Sequence, residues 1–332
     1  MSDTILQVQN VIKHYVQKNV VQDGKRVSRQ TVKAVDGVSF QLSGGEILGI
    51  IGESGCGKST LGRLLVNLEA PTSGDILIKK RNTREVHEWR KQERLDFRRT
   101  VQLIFQNPYE VFDPKETIET TLTTPLKLHS IGVTPSERRG ICVETLEKAG
   151  LRPAADFLQR YPHELSGGQL QRIAIMRSMV VHPAFLVADE AVSMLDISIR
   201  ADILRLLEDQ TQALSACMVF ISHDIATTRY ISNKVAVMYL GRVVEFGITD
   251  DVLHHPIHPY TRALISNAAS LDPTETRHII DISGEPPTPV GTGPGCYFAP
   301  RCYMRGERCN AEYPEMTDAG GRHLYSCFYQ KP

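Results

Sequence analysis

The stretch Gly52-Glu-Ser-Gly-Cys-Gly-Lys-Ser-Thr60 decides the fold class of this 332-residue chain. It follows the apolar run from Glu46 to Gly52, which has the length of a buried strand, and it precedes a segment of helical character that begins at Lys58. Glycines let a backbone wrap phosphate oxygens, the lysine reaches the β- and γ-phosphates, and the serine hydroxyl ligates Mg²⁺. The pattern predicts a P-loop. Its predicted nucleotide contacts are Gly52, Ser54, Gly55, Cys56, Gly57, Lys58, Ser59 and Thr60.

A second glycine-rich segment, Leu165-Ser-Gly-Gly-Gln169, opens another helix. Its backbone N–H groups and serine hydroxyl suit a γ-phosphate. One chain cannot easily aim both segments at one ATP, so we expect two chains to sandwich ATP between the P-loop of one and the Ser166 segment of the other. The predicted contacts across this interface are Ser166, Gly167, Gly168 and Gln169.

Polar residues at the ends of three strand-length runs complete the predicted catalytic set. Asp189 and Glu190 follow an apolar strand, where Asp189 can hold Mg²⁺ through water and Glu190 can polarise the attacking water as general base. Gln106 follows another strand, and its amide could touch Mg²⁺ or water. His223 follows a third and is placed to contact the γ-phosphate. We therefore predict Glu190, His223 and Gln106 as catalytic, and Ser59, Gln106 and Asp189 as Mg²⁺ ligands.

The order of the elements predicts an α/β protein. Strands and helices alternate in the middle of the chain, which favours a mixed, mainly parallel sheet with covering helices. A helical subdomain is expected at about 107–170, inserted into a nucleotide-binding domain of residues 1–250. After Gly247 the texture changes to His, Pro and Gly, so we assign 251–332 to a small C-terminal extension.

Bulk composition excludes several classes of protein. The formal net charge is zero and the isoelectric point is near 7.2, so no global field attracts nucleic acid. The apolar runs are far shorter than a membrane span, and Met1-Ser2-Asp3-Thr4 does not open a signal peptide. We expect a cytosolic protein that docks on a membrane partner.

The cysteines are unevenly placed. Four of the seven fall in the last forty residues, and in a reducing compartment such a group more often holds metal than disulfides. Their spacings match no familiar zinc-finger or ferredoxin run, so spacing alone indicates only four thiolates for a metal. These residues are Cys296, Cys302, Cys309 and Cys327.

The motifs together resemble those of the ATP-binding subunit of an ABC transporter. P-loop, Gln106, Leu165–Gln169, the acidic pair, Ser193-Met-Leu-Asp196 and His223 occur in the order of that family. The resemblance implies the ABC ATPase form of the P-loop fold. It also implies that Tyr15 stacks on the adenine of ATP.

A finer resemblance is to the dipeptide and oligopeptide importer branch. It rests on His255-Pro-Ile-His-Pro-Tyr-Thr261, Gly284-Glu-Pro-Pro287 and Gly295-Cys-Tyr-Phe-Ala-Pro-Arg-Cys302. Ser59-Thr-Leu-Gly-Arg63 and Val192-Ser193 are more similar to the second, F-type ATPase of the paired subunits. Relatives with this extension imply a [4Fe-4S] cluster on the four tail cysteines, with structural Zn²⁺ as the rival.

The resemblance also implies an assembly and a task. The partners are a second ABC ATPase subunit, related or identical, two transmembrane permease subunits and an extracytoplasmic solute-binding protein, at the cytoplasmic face of the membrane. The task is ATP-driven uptake of di- or oligopeptides, with nickel complexes, glutathione or oligosaccharides as alternative cargo. A permease-free ABC ATPase of DNA repair or translation is the rival, but such proteins usually carry two cassettes or a long coiled coil.

Overall fold

The computed structural model describes residues 3–22, 25–267, 279–282, 284–285, 287 and 290–329. The chain divides into two compact units that each consist of several segments. The first unit comprises residues 1–5, 43–45 and 85–218, and the second comprises residues 6–42, 46–84 and 219–332.

Strands and helices alternate along most of the described chain. The strands are β1 (Thr4–Gln22), β2 (Lys25–Ser43), β3 (Ile47–Ile51), β4 (Ser73–Ile78), β5 (Arg81–Asn82), β6 (Val101–Ile104), β7 (Phe185–Asp189), β8 (Cys217–Ile221), β9 (Lys234–Tyr239), β10 (Arg242–Ile248), β11 (Thr317–Asp318) and β12 (Leu324–Tyr325). The α-helices are α1 (Lys58–Leu65), α2 (Lys91–Thr100), α3 (Ile118–Leu128), α4 (Pro135–Lys148), α5 (Ala154–Gln159), α6 (Gly167–Met179), α7 (Ile197–Ala213), α8 (Ile225–Ile231), α9 (Thr249–His254), α10 (Pro259–Ser266) and α11 (Arg308–Ala311).

The first unit is mainly helical around a short parallel sheet. Strand β6 pairs with β7 in parallel, from Val101 opposite Phe185 to Ile104 opposite Ala188. Helices α3 to α6 lie between these two strands in the sequence. Several of them begin where a side-chain oxygen caps the first turn, as Thr134 does for α4. The helical segment predicted at about 107–170 contains α3, α4 and α5.

The second unit contains two sheets. In the larger one the strand order is β11-β12-β10-β9-β3-β8, in which β3 and β9 are parallel and β9 and β10 are antiparallel. The smaller sheet has the order β2-β1-β4-β5, with β1 antiparallel to β4. Parallel pairs dominate where helices connect the strands, since a crossover is needed to bring two strands side by side in one direction. The predicted mixed α/β architecture is confirmed.

The core of the second unit contains residues from both the P-loop strand and the C-terminal extension. Ile51 of β3 and Val237 of β9 pack in one buried cluster with Tyr260, Tyr297 and Phe298. Burial of these aromatic rings supplies much of the cluster's apolar area. The division of the chain at residue 250 stays a prediction.

One local prediction was wrong in its extent. The polar segment from Gln17 to Gln30 predicts a hairpin loop, and β1 and β2 are neighbours in one sheet, but β1 continues to Gln22 and β2 already begins at Lys25. Paired strands satisfy each other's backbone N–H and C=O groups whether or not their side chains are apolar. Across the described ranges, no α-helix is long and apolar enough to cross a bilayer.

Candidate functional site

The P-loop has the glycines that its backbone path requires. Gly57 has a φ of +106°, and a Cβ there would lie 2.0 Å from the carbonyl oxygen of Ala34. At Gly52 a Cβ would lie 2.2 Å from the carbonyl oxygen of Met238. Real side chains do not approach backbone atoms so closely, so both positions exclude every residue but glycine. The loop is thereby held against the neighbouring backbone, and α1 begins directly after it.

The ammonium group of Lys58 is hydrogen-bonded to the backbone of the P-loop itself. Lys58 is buried, and its Nζ donates hydrogen bonds to the carbonyl oxygens of Gly52 (2.7 Å) and Glu53 (2.9 Å). No side chain caps the N-terminus of α1, so its first N–H groups remain suited to an anion. Cys56, predicted as part of the loop's contacts, is buried, and burial raises the pKa of its thiol.

Tyr15 lies beside the end of the P-loop. Its hydroxyl group contacts the carboxylate of Glu69 and interacts with the hydroxyl of Thr60 in the first turn of α1. The residue is 36% exposed, and the ammonium of Lys13 lies 5.1 Å from the centroid of its ring. An exposed aromatic face at this position can accept a purine ring. Adenine stacking on Tyr15 stays a prediction.

In the first unit the structure brings two predicted catalytic residues together. Gln106 Nε2 donates to Glu190 Oε2 at 3.0 Å and lies 3.4 Å from Ser193 Oγ, which itself donates to the Glu190 carbonyl at 2.9 Å. The sheet register explains the pair. Ile104 lies opposite Ala188, so the residues two positions further on leave adjacent parallel strands at the same edge. Glu190 adopts a φ of +49°, which turns the chain sharply after β7.

The second glycine-rich segment forms the start of α6. Ser166 caps the helix: its Oγ accepts from the Gln169 N–H at 3.3 Å, and Gln169 Oε1 accepts from the Ser166 N–H at 3.0 Å. A Cβ at Gly168 would lie 2.9 Å from Ile199 in α7, whereas a Cβ at Gly167 would meet open space. Packing therefore explains the glycine at 168, and the glycine at 167 has no packing reason in this chain.

The remaining predicted residues lie at strand ends. Asp189 is the last residue of β7 and is partly buried. His223 is exposed after β8, next to Asp224, whose carboxylate caps α8. Of the predicted nucleotide residues, Gln106, Asp189, Glu190 and 166–169 belong to the first unit, and Tyr15, the P-loop and His223 belong to the second.

The four tail cysteines line one small cavity of the second unit, together with His258 and apolar residues. Burial raises the pKa of Cys296 and of Cys302 to about 11, so both are neutral thiols at pH 7. Within the described residues, no three His, Cys, Asp or Glu side chains lie close enough together to hold a metal ion. The cysteines thus surround a cavity without converging on a single point.

Three residues at the P-loop were missed by sequence reasoning. Glu53 pairs with Arg301, and its backbone N–H donates to the hydroxyl group of Tyr260. Glu53 occupies a variable position of the motif, and its two partners lie more than two hundred positions later. Only the position of Arg301 directly before Cys302 could have drawn attention to it.

Comparison with known proteins places these motifs in a family. Residues 35–193 match the ABC transporter family model, and residues 244–309 match the model of the oligopeptide/dipeptide transporter C-terminal region. The dipeptide transport ATP-binding protein DppF of Haemophilus influenzae is 44% identical over 93% of this chain and 93% of its own length. The chain belongs to the ABC transporter family. The same-named protein of Escherichia coli is 41% identical to this ABC ATPase over 99% of the chain and 95% of its own length.

A solved structure agrees with the fold of this ABC ATPase. The ATP-binding cassette MJ0796, in a dimeric post-hydrolysis state with ADP and Pi, superposes with a TM-score of 0.62 at 27% identity. The match covers 74% of this chain and 99% of the cassette. The predicted P-loop fold is therefore confirmed, and the chain is an ATPase subunit of a transporter.

Proposed function

We propose that this ATPase subunit powers the import of dipeptides or oligopeptides. The observation that carries the proposal is the C-terminal segment 244–309, which matches the model of the oligopeptide/dipeptide transporter C-terminal region. Relatives named for dipeptide transport match along more than nine tenths of both chains. Solute contacts lie in other subunits, so nickel complexes, glutathione and oligosaccharides are the alternative cargo.

The proposed reaction is hydrolysis of ATP at the γ-phosphate. The P-loop backbone and Lys58 bind the phosphates, and Glu190 takes a proton from the attacking water. The hydrogen bond from Gln106 holds the Glu190 carboxylate in place at the end of its strand. His223 contacts the γ-phosphate. Mg²⁺, which neutralises phosphate charge, would be held by the hydroxyl, amide and carboxylate oxygens of Ser59, Gln106 and Asp189, the donor type that it prefers.

The proposed working form contains two ATPase subunits. The cassette MJ0796, which shares the fold, is dimeric after hydrolysis. In this chain Gly167 and Gly168 open α6 with backbone N–H groups suited to a γ-phosphate of the opposite subunit, while the capping box engages the N–H groups of Ser166 and Gln169. The further proposed partners are two permease subunits and an extracytoplasmic solute-binding protein, with this chain at the cytoplasmic face of the membrane.

The tail cysteines are the proposed ligands of a [4Fe-4S] cluster, with Zn²⁺ as the alternative. The support is a donor set of four thiols around one cavity, without a carboxylate among its lining residues. A single zinc ion would instead need the four sulfurs to converge to about 2.3 Å from one point. A bound cluster would supply cross-linking of four distant tail positions, which stabilises a small domain.

The test of the cluster is its colour and composition. Protein purified anaerobically from iron-replete cells should be brown, contain about four irons and four labile sulfides per chain, and lose both in Cys302→Ser. The tail of that variant should become protease-sensitive, with ATP binding retained. Stoichiometric zinc without iron would replace the cluster by a zinc site and leave the ATPase assignment unchanged.

The test of the transport proposal is reconstitution. This chain is reconstituted in liposomes together with the permease and the binding protein that co-purify with it. ATP is supplied on the side of the membrane that the ATPase faces. We expect uptake of a labelled dipeptide that stops with Glu190→Gln. Competition by unlabelled tripeptide but not by glutathione, a nickel chelate or an oligosaccharide would support peptide cargo. Uptake of one of those solutes with no peptide uptake would contradict it.

A further inference from the structure

The second residue of the P-loop is held by the C-terminal extension from two directions. Arg301 donates two hydrogen bonds to the carboxylate of Glu53, from Nη1 at 2.7 Å and from Nη2 at 3.0 Å. The backbone N–H of Glu53 donates to the hydroxyl group of Tyr260 at 2.9 Å. All three residues belong to the second unit. The extension therefore forms hydrogen bonds with both the side chain and the main chain of Glu53.

These contacts reach the ammonium group of Lys58 through a single residue, Glu53. The carbonyl oxygen of Glu53 accepts a hydrogen bond from Lys58 Nζ at 2.9 Å. A P-loop binds phosphate with pre-aligned backbone groups and one ammonium, so its affinity depends on how firmly this geometry is held. A residue whose N–H, carbonyl and carboxylate are all engaged cannot rotate without moving Lys58.

The side chains of Arg301 and Tyr260 are themselves held in place by their surroundings. Arg301 has 7% of its side chain exposed and also donates to the carbonyl of Gly284 at 3.0 Å. Tyr260 is fully buried, and its ring centroid lies 4.7 Å from that of Tyr239 and 5.4 Å from that of Phe298. The Glu53 side chain is 25% exposed, so the pair is partly buried. A two-bond arginine–carboxylate pair is directional as well as strong. The contact thus transmits the position of the extension to the loop.

We infer that Arg301 and Tyr260 are positioning residues of the nucleotide site, through which the C-terminal extension sets the affinity of the P-loop for ATP. The inference rests on the proposed binding of ATP by the P-loop. Neither residue touches the reacting atoms in this arrangement, since both act on Glu53. The effect therefore falls on ATP binding and not on the chemical step.

Nucleotide titration of full-length variants tests the inference. Arg301→Gln should raise the Kd for a fluorescent ATP analogue with Mg²⁺ by about tenfold, because a charge-assisted pair is lost. Tyr260→Phe keeps the ring and should raise it by about threefold. In steady-state assays KM for ATP should rise with kcat nearly unchanged. Arg308→Gln, which removes a surface pair with Glu312 in the same extension, is the matched control and should leave Kd unchanged.

A double-mutant cycle shows whether Arg301 positions Glu53 or only holds the C-terminal extension in place. If Arg301 acts through Glu53, adding Glu53→Gln to Arg301→Gln should raise Kd no further than the stronger single change. Additive effects, or a lower melting temperature with an unchanged Kd, would overturn the inference. Should Arg301→Gln not fold, Arg301→Lys, which keeps the charge and loses the paired geometry, takes its place, and a wild-type Kd would again overturn it.

A further variant distinguishes failure of the proposed ATP binding by the P-loop from failure of the positioning role of Arg301. Lys58→Ala should abolish nucleotide binding if the P-loop holds ATP. Wild-type binding by Lys58→Ala would remove the P-loop assignment itself. Loss of binding in Lys58→Ala, with wild-type binding in Arg301→Gln, would remove only the positioning role of Arg301.

Discussion

Glu190 sits in a left-handed backbone conformation at the carboxyl end of a buried strand, with one carboxylate oxygen already bonded to Gln106. For a residue with a Cβ this conformation costs on the order of 1 kcal/mol, which the packed strand and turn must offset. The conformation and the hydrogen bond together restrict where the second oxygen can lie. Such restriction is what a general base needs, because proton transfer depends on position before it depends on pKa.

Replacing Glu190 by Gln tests this role. An amide oxygen can still accept from Gln106, so the local structure and ATP binding should persist. Hydrolysis should fall by roughly 10²–10⁴-fold, the range for loss of a positioned base, and nucleotide-bound dimers should accumulate. Phosphate release and gel filtration measure the two effects. The isosteric change Glu144→Gln, at an exposed pair with Lys148, serves as control, and near-normal turnover by the Glu190 variant would remove its assignment as base.

Cys56 is a predicted nucleotide contact whose thiol takes no part in the proposed hydrolysis. Burial raises the pKa of its thiol above the ordinary value, so the thiolate fraction at pH 8 is smaller than for a free cysteine. We expect iodoacetamide to label Cys56 slowly in the folded protein, with the rate rising only at higher pH than in protein unfolded by urea. Mass spectrometry of the labelled peptide gives both rates. Rapid labelling at pH 7 that ATP prevents would contradict this expectation.

Among the larger elements, α6 shows how one residue can serve both structure and chemistry. Ser166 caps this helix, and Asp is an equally good cap. Its hydroxyl is also the proposed ligand of a γ-phosphate.

Ser166→Asp separates the two roles of that residue. The change should keep the melting temperature close to wild type while repelling the phosphate, so that ATPase activity falls by about tenfold or more. Ser166→Thr, which keeps both cap and hydroxyl, is the matched control. Full activity with Asp at this position would show that Ser166 is a cap alone.

Strand register determines another part of the candidate site. Gln106 and Glu190 meet because β6 and β7 run in parallel with Ile104 opposite Ala188. A slip of one residue in this pairing would send every side chain to the other face. The buried residues of both strands oppose such a slip, and the hydrogen bond between Gln106 and Glu190 follows from the same register.

At the scale of the whole molecule, the two glycine-rich segments predict an ATP site that is completed only when two chains associate. If Ser166 acts on ATP held by the opposite subunit, Lys58→Ala and Ser166→Arg chains each lack activity alone. Mixed dimers should contain one intact site of two and recover part of the activity. Affinity tags that isolate the mixed species provide the measurement. No recovery in verified mixed dimers of this chain would contradict the sandwich.

The sequence alone determined the reaction class. Phosphate-binding loops, helix caps and strand-end carboxylates are local patterns, because a glycine turn or an N-cap depends on residues within a few positions. The P-loop, the second glycine-rich segment and the acidic pair could therefore be recognised from the sequence. The comparisons confirmed the ABC transporter family on the same residues. The roles of the individual site residues and the cluster on the tail cysteines stay predictions.

Only the tertiary structure decided which distant residues meet. The bond between Gln106 and Glu190 depends on strand register, and the cavity lined by four cysteines depends on the path of the tail. The pair of Arg301 with Glu53 joins residues 248 positions apart. No local pattern encodes such contacts, since they arise where buried surfaces pack and bring unrelated segments within hydrogen-bonding distance. The hydrogen bonds between the C-terminal extension and the P-loop could therefore be recognised only in the folded chain.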